Sequence, residues 1–528
     1  MQTQSVIINA VMRLLSVLNR WYEHSILCRG VEKIKFAARG SAFLRLFTQA
    51  PTRNYHEGAW LSRLFLFFVS PVLFAIQHLA NVISTANKSS INYKIYRYVI
   101  THWRTSFTGR AVVGCCIWRL VAWFFGERVA LYKIVYLLFL AGVLIIPGFL
   151  WSNAFLLLSA IIFSGLFIWV WTINGSGSVS INRISPALIL FVLFCALSIF
   201  TGYGGSDSLR VFLIFFGCVL HGILVMFTIS NADETRLFTK LMAIALALTA
   251  LFGFYQLAVG IPIHPEFTDL LANPGMTRLH STMGNPNNDA QVWAMLLPFA
   301  IAAAIAVRCD VKRVLLVAAI VVCVAAFALT YSRAGYVALL AGLGVFVLMA
   351  APRLVPLALI LFIFAIPFIP SGIIERLLTL GSDTSSQYRF NIWRGVIDML
   401  RIYWVQGIGM GPEAFAQVYR HHFHGEAWRA LHAHNTFLDI IMHSGIGALI
   451  TFLAFLLNNL KRGISTHMRI KNPEQRLYTA AAVASLVVFV AFGVGEYVWF
   501  YPRVMLVFWV CAGVLAGQRV WEVSNKKI

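Results

Sequence analysis

From about residue 131 onward the chain alternates apolar stretches of roughly 18–22 residues with polar connections. Wound as α-helices at about 1.5 Å per residue, such stretches cross ~30 Å of hydrocarbon. Twelve can be counted, at about 131–150, 154–172, 185–203, 209–229, 239–258, 289–307, 313–331, 334–351, 354–371, 433–457, 477–497 and 500–521. Most connections are short. The exceptions are 259–288 and 372–432, the latter the longest polar stretch in this part of the chain. The pattern predicts an all-α, polytopic integral membrane protein of about twelve transmembrane helices, with a large loop between spans nine and ten.

Residues 1–130 read differently. They carry 16 Lys+Arg against 4 Asp+Glu, and their apolar runs, Leu61–Ser84 and Ala111–Phe125, are short or interrupted by Arg63, Gln77 and His78. Basic amphipathic helices on the cytoplasmic leaflet fit this best, with an extra membrane hairpin as the competing reading. The first apolar stretch is broken by Arg13 and Arg20 and does not read as a cleavable signal peptide. Residues 522–528 form a short basic tail.

Composition sharpens the class. Of 528 residues 59% are hydrophobic and only 12% charged, against about 25% charged in soluble chains, which excludes a string of water-soluble domains. In that setting a net charge of +22 points to anionic lipid and phosphate, not to nucleic acid. Eight cysteines, at 28, 115, 116, 195, 218, 309, 323 and 511, lie mostly in apolar runs and form no CxxC, so neither a disulfide framework nor a zinc ribbon is indicated.

Charge also orients the chain. Arg308–Arg313, Lys461–Arg476 and the tail Arg519–Lys527 share one side with the basic N-terminal region, which the positive-inside rule makes cytoplasmic. Both termini are then cytoplasmic and both long loops extracytoplasmic. All eleven lysines fall inside. The outer basic residues are all arginine: Arg210, Arg278, Arg333, Arg376, Arg389, Arg394, Arg401, Arg420, Arg429 and Arg503. Some are expected to pair with outer carboxylates such as Asp289, Asp398, Glu413 or Glu496, or to reach headgroups. Arg333 fits that least, since Tyr-Ser-Arg-Ala-Gly joins two spans with almost no loop, and a charge at the membrane edge reads as functional.

Three outer clusters carry candidate chemistry. Arg278-Leu-His280 leads through Gly284-Asn285-Pro286-Asn287-Asn288 into a span, where Asn-Pro signals a capped helix start but leaves Arg278 and His280 unexplained. Ser332-Arg333-Ala-Gly335 is a tight turn. His421-His422-Phe-His424 and His432-Ala-His434-Asn435 place five of fourteen histidines within fourteen residues. No HExxH or comparable ligand spacing appears, so a general base is preferred to a metal site. Upstream, Phe390, Trp393, Ile397 and Leu400 share a helical face expected in the outer interface, and Gly407-Ile-Gly409-Met-Gly411-Pro412 reads as a turn that is not a GxGxxG phosphate loop.

The ordered set Arg278…Gly284-Asn285-Pro286-Asn287, Ser332-Arg333, Arg389…Trp393, Gly407-Ile-Gly409 and His432-Ala-His434-Asn435 resembles the bacterial O-antigen ligase and polymerase superfamily, over about 131–521. The resemblance implies a polytopic fold of the GT-C class. It implies transfer of a glycan from an undecaprenyl-diphosphate carrier to a lipid or glycan acceptor at the outer face of the inner membrane, with no metal or other cofactor. The basic first 130 residues depart from the family's usual short start.

Residues and resemblance suggest one mechanism. Arginines at a low-dielectric edge stabilise a diphosphate leaving group, and a histidine removes the acceptor proton. Arg278 and Arg333 are assigned to the diphosphate with Arg389 as a third candidate, His434 is the expected base, and His432 is the second choice. His280, Asn285, Asn287, Ser332 and Asn435 are the further candidates for substrate contact. The alternative function is a flippase or transporter of lipid-linked saccharides, which would need ionisable residues near mid-membrane. A purely structural scaffold leaves the outer arginines without a role.

Overall fold

A computed structural model describes residues 128–173, 184–229, 231–262, 277–308, 310–365 and 384–524, with isolated positions at 78, 82, 85, 89, 94, 98, 367 and 374. The basic region expected over 1–130 falls almost wholly outside the described residues. So do Cys28, Cys115, Cys116, Cys309, Arg376 and the last four residues of the tail.

Every regular element among the described residues is helical. In chain order these are α1 (Arg128–Ile145), α2 (Ala154–Ile173), α3 (Pro186–Thr201), α4 (Gly205–Thr228), α5 (Ala232–Val259), α6 (Pro286–Ala306), α7 (Asp310–Ala328), α8 (Arg333–Ala350), α9 (Val355–Ala365), α10 (Thr384–Tyr403), α11 (Pro412–Tyr419), α12 (Thr436–Arg469), α13 (Pro473–Gly493) and α14 (Pro502–Ser524). Each expected span overlaps one of them, the ninth only through the 11 residues of α9. Seven (α4 to α8, α12 and α13) are long and apolar enough to cross a membrane, while α1, α2, α3 and α14 hold shorter apolar segments. The protein is a polytopic membrane protein.

Helix starts follow local chemistry. Proline opens α3, α6 and α13, where its missing N–H costs nothing. Asn231 caps α5 in a reciprocal box with Glu234, both bonds at 3.0 Å. Asn285, Asn435 and Asn472 cap α6, α12 and α13 through their side chains.

The helix α6 is the axis: nearly all of it is buried, and it packs on α5, α7, α8, α13 and α14. Lipid supplies no hydrophobic force between helices, so close backbone approach and internal hydrogen bonds must hold them together. Glycines provide the approach. A Cβ on Gly222 would lie 2.8 Å from the Trp509 carbonyl oxygen, and Gly513 and Gly517 meet the same face of α4 from α14. In α4 the buried His221 is bonded on both ring nitrogens, by Tyr136 of α1 at 3.0 Å and Ser159 of α2 at 3.1 Å. This ionisable side chain, deep in the bundle, is fully committed to helix packing.

The two ends of the bundle differ. One is tied by Lys133–Glu234 and by Arg236, which grips both oxygens of Glu474 at 2.6 and 2.7 Å. The other carries α10, α11 and the short turn Ala427–Arg429, which form a second small core around Ile392, Val396, Met399, Phe415 and Tyr419. On α10 the structure adds a buried stripe to the face expected in the outer interface. Its buried stripe is Ile392, Val396 and Met399, whereas Phe390 and Ile397 are exposed. The helix has two apolar stripes, and Gly395 lets the first press on α11, since a Cβ there would sit 2.7 Å from the Tyr419 ring.

Gly407, Gly409 and Gly411 form a turn, all with positive φ. Its role is to repair a break in α12, where Gly445 has φ 77° and ψ 175°. The Met442 carbonyl accepts Ile408 N–H at 2.8 Å, the His443 carbonyl accepts Gly409 N–H at 3.0 Å, and the Ile446 N–H turns to the Trp404 carbonyl at 2.8 Å. The loop thus supplies the partners that the helix lost.

Candidate functional site

Glu496 lies in the short link between α13 and α14 and is buried, with 7% of its surface exposed. Its Oε1 accepts from the Arg389 guanidinium of α10 and, at 3.3 Å, from the Asn287 amide of α6. Its Oε2 lies 3.2 Å from His434 Nδ1. Asn287 Oδ1 accepts from Arg278 Nη2 at 2.7 Å, while Arg278 Nε donates to the Thr330 carbonyl at 2.8 Å. One carboxylate therefore gathers Arg278, Asn287, Arg389 and His434 from segments far apart in sequence. Burial alone would raise the Glu496 carboxyl, but the Arg389 charge and the His434 hydrogen bond outweigh it and hold it at about 2.

The turn that bears His434 is fixed on every side. His434 itself has φ +47°, a left-handed conformation unusual for a residue with a side chain. Ala433 donates to both oxygens of Asp439 at 3.1 and 3.0 Å, and its carbonyl accepts Trp393 Nε1–H at 2.8 Å. Asn435 caps α12 by accepting from Phe437 and Leu438, and its amide donates to the Val494 carbonyl at 2.8 Å. Thr436 donates to the Glu496 carbonyl at 2.9 Å and accepts Val498 N–H at 3.1 Å. The start of α12 and the Glu496 link are thereby sewn together. The His432 ring lies 4.1 Å from that of His434 and 4.4 Å from Phe500, and burial followed by the neighbouring His434 pushes it well below the ordinary histidine value.

Ser332 and Arg333 begin α8 immediately after Tyr331, whose φ is +50°. The contact from Arg278 to Thr330, and Leu279 N–H to the Leu329 carbonyl at 2.8 Å, bring the 277–284 loop against this turn. That loop is held from below. Asp289 accepts Ser281 and Met283 N–H at 2.7 and 3.2 Å, and the buried Arg503 donates to the carbonyls of Thr282 and Ile146 at 2.7 and 2.6 Å. Asp289 therefore pairs with the loop backbone and not with an arginine. Asn285 caps α6 through Asn287 N–H at 2.8 Å. Burial lowers the His280 ring, and no hydrogen bond joins it to Glu496, Arg389 or His434 among the described residues.

The remaining outer arginines and histidines divide by partner. Arg210 pairs with Asp207 at 2.5 Å, Arg401 with Asp398 at 3.4 Å, and His424 meets the same Asp398 at 2.8 Å. The exposed Arg420 bonds the backbone of its own helix turn, at Gln417. Among the described residues no three His, Cys, Asp or Glu side chains group as metal ligands. Sequence reasoning named Glu496 only as one of four possible partners for arginines, and missed Thr436 and Asp439. A signal existed: Glu496 is a lone acid in the apolar run Gly493-Val-Gly-Glu-Tyr-Val-Trp, the argument already applied to Arg333.

Fold and site together define a helical membrane protein that holds a histidine, a buried carboxylate and arginines at one end of its bundle. Residues 318–453 match the family model described as O-antigen ligase, which supports a relation to the O-antigen ligase and polymerase superfamily over that segment. The matched stretch runs from within α7 past the break in α12 and includes Arg333, Arg389, His432 and His434. It points to ligase-like or polymerase-like glycan transfer. No curated protein matches the chain.

Proposed function

We propose that the chain transfers a glycan from an undecaprenyl-diphosphate carrier to an acceptor hydroxyl at the outer face of the inner membrane. The observation that carries this reading is the Glu496 carboxylate, with Arg389 on one oxygen and His434 on the other. A neutral His434 gives its Nδ1–H to Glu496, which leaves the Nε2 lone pair for the acceptor. As the acceptor oxygen bonds to the anomeric carbon, the bond from that carbon to the diphosphate oxygen breaks. The electron pair leaves with the diphosphate, and the acceptor proton passes to Nε2. Glu496 then faces an imidazolium, an arrangement like that of base and orienting acid in hydrolytic triads.

Arg278, Arg333 and Arg389 hold the diphosphate, whose charge grows as the bond breaks and is worth most in a site shielded from water. Asn287 links Arg278 to Glu496, so the anion site and the base share one scaffold. Asn285 and Asn435 serve through the helix starts they cap. His280 lies in the loop that carries Arg278, and Ser332 in the turn packed against that loop.

The test is the reaction itself. Vesicles holding the purified chain, given undecaprenyl-diphosphate-linked glycan and an acceptor, should release undecaprenyl diphosphate together with glycosylated acceptor. The His434→Ala chain should bind donor but release nothing. Passage of intact lipid-linked glycan across the vesicle membrane with no release would identify a flippase and overturn the reading.

A further inference from the structure

His432 and His434 stand side by side, and spacing alone does not say which is the base. Their hydrogen bonds differ. The main-chain N–H of His434 donates to His432 Nδ1 at 3.1 Å. Hence Nδ1 of His432 carries a lone pair already in use, and the proton of the neutral ring resides on Nε2. Neither nitrogen of His432 is then able to accept a proton from a substrate hydroxyl. The opposite holds for His434, whose Nδ1 faces a carboxylate and whose Nε2 keeps its lone pair.

We propose that His432 is a positioning residue, which holds His434 in its left-handed backbone conformation by accepting the His434 N–H, and is not the base. This rests on the reading of His434 as the base given above. The ring closed by this bond runs from a side-chain acceptor one bond beyond Cγ to the N–H two residues on. It is the ring that Asn closes in an Asx turn, and Asn Oδ1 occupies the place of His Nδ1. Ala433 between them is held through both its N–H and its carbonyl, so the geometry of His434 depends on the turn as a whole. Phe500 and Tyr497 flank the His432 ring, with centroids at 4.4 and 5.8 Å, and the His434 N–H bond sets which ring edge faces the turn. Burial separately favours its neutral form, the only form able to accept.

The experiment compares His432→Asn, His432→Ala and His432→Phe in the vesicle transfer assay, with His434→Ala alongside. Asn restores the acceptor but is no base, whereas Phe keeps the stacking on Phe500 and has no acceptor. Turnover by His432→Asn should stay within about threefold of the parent. Ala and Phe should lose on the order of 10–100-fold, the scale of a misplaced catalytic group. The groups that face His432 are His434, Glu496, His443 and Arg389. All remain in His432→Asn, so its pH–rate profile should overlay the parent's. A His432→Asn chain as inactive as His432→Ala, or one with a displaced acid limb, would overturn the proposal, as would full activity in all three variants. Activity in His434→Ala is a separate outcome, which would sink the assignment of the base itself.

Discussion

His434 Nδ1 and Glu496 Oε2 lie 3.2 Å apart across 62 residues of sequence, and Arg389 occupies the other oxygen of the same carboxylate. The base and an anion-binding arginine are therefore positioned by one buried group. Glu496→Gln keeps the size and removes the charge. It leaves Arg389 without its counter-ion and an imidazolium at His434 unopposed. The expected loss is about 10²–10⁴-fold in kcat, measured as undecaprenyl diphosphate released, the range seen when a base or its orienting acid is disabled. A kcat within about threefold of the parent would remove Glu496 from the mechanism.

The pH dependence of stability has a definite sign. Glu496 is held at about 2, below its ordinary value of 4.5, so the folded state resists a proton that the unfolded chain accepts. The stabilisation is complete above about 4.5 and disappears as pH falls from there to about 2. The melting-temperature difference between the parent and Glu496→Gln should be constant from pH 7.5 to about pH 5.5 and shrink below about 4.5. A difference that grew on acidification would contradict the ion pair.

Arg333→Lys and Arg420→Lys separate specific from diffuse charge. An ammonium cannot reproduce a two-pronged contact to phosphate, so Arg333→Lys should lose roughly tenfold or more in kcat/KM while folding is kept. Arg420, which donates to the backbone of its own helix turn, should be nearly silent as lysine. Equal losses at both positions would mean that bulk charge governs the donor.

Orientation is testable by labelling whole cells. Tags at 385 and 425 should react with a membrane-impermeant reagent, and tags within 461–476 should not. Reaction at 385 only after permeabilisation would invert the topology and every role assigned to the site.

The upstream histidines should be dispensable. His424 is engaged with the partly buried Asp398. His421→Ala, His422→Ala and His424→Ala should each keep within about threefold of parental turnover, and chelator should leave the reaction intact. Inhibition by EDTA that zinc reverses would show that the reaction needs a metal.

The sequence and the structure agree where one residue type answers one local question. Runs of Leu, Ile, Val and Phe long enough to span lipid can hide their polar backbone only as helices, so the spans were legible. Asn435 read correctly as a cap, and Gly407 to Gly411 as a turn, because both follow from nearest neighbours. The choice of partner was not legible. Four acids could have met ten arginines, and only packing decides that Arg389 meets Glu496 while Asp289 takes backbone N–H groups. The buried stripe of α10 was not legible either, because the sequence does not say which of two apolar faces meets Phe415 and Tyr419.

The splice between the Gly407–Gly411 turn and the interrupted α12 bears on how such chains can be recombined. Backbone groups at 404, 408 and 409 complete a ladder begun at 442, 443 and 446, and Tyr203 N–H closes on the Ile408 carbonyl at 2.8 Å. Gly202 abuts Gly409 so closely that neither tolerates a Cβ. A graft of residues 384–435 from a relative, made to exchange acceptor preference, would therefore import only half of a joint. The transferable module has to include 436–446 and the Gly202–Tyr203 corner, and inserting a single residue between 404 and 409 should disable a chimera as surely as losing the base.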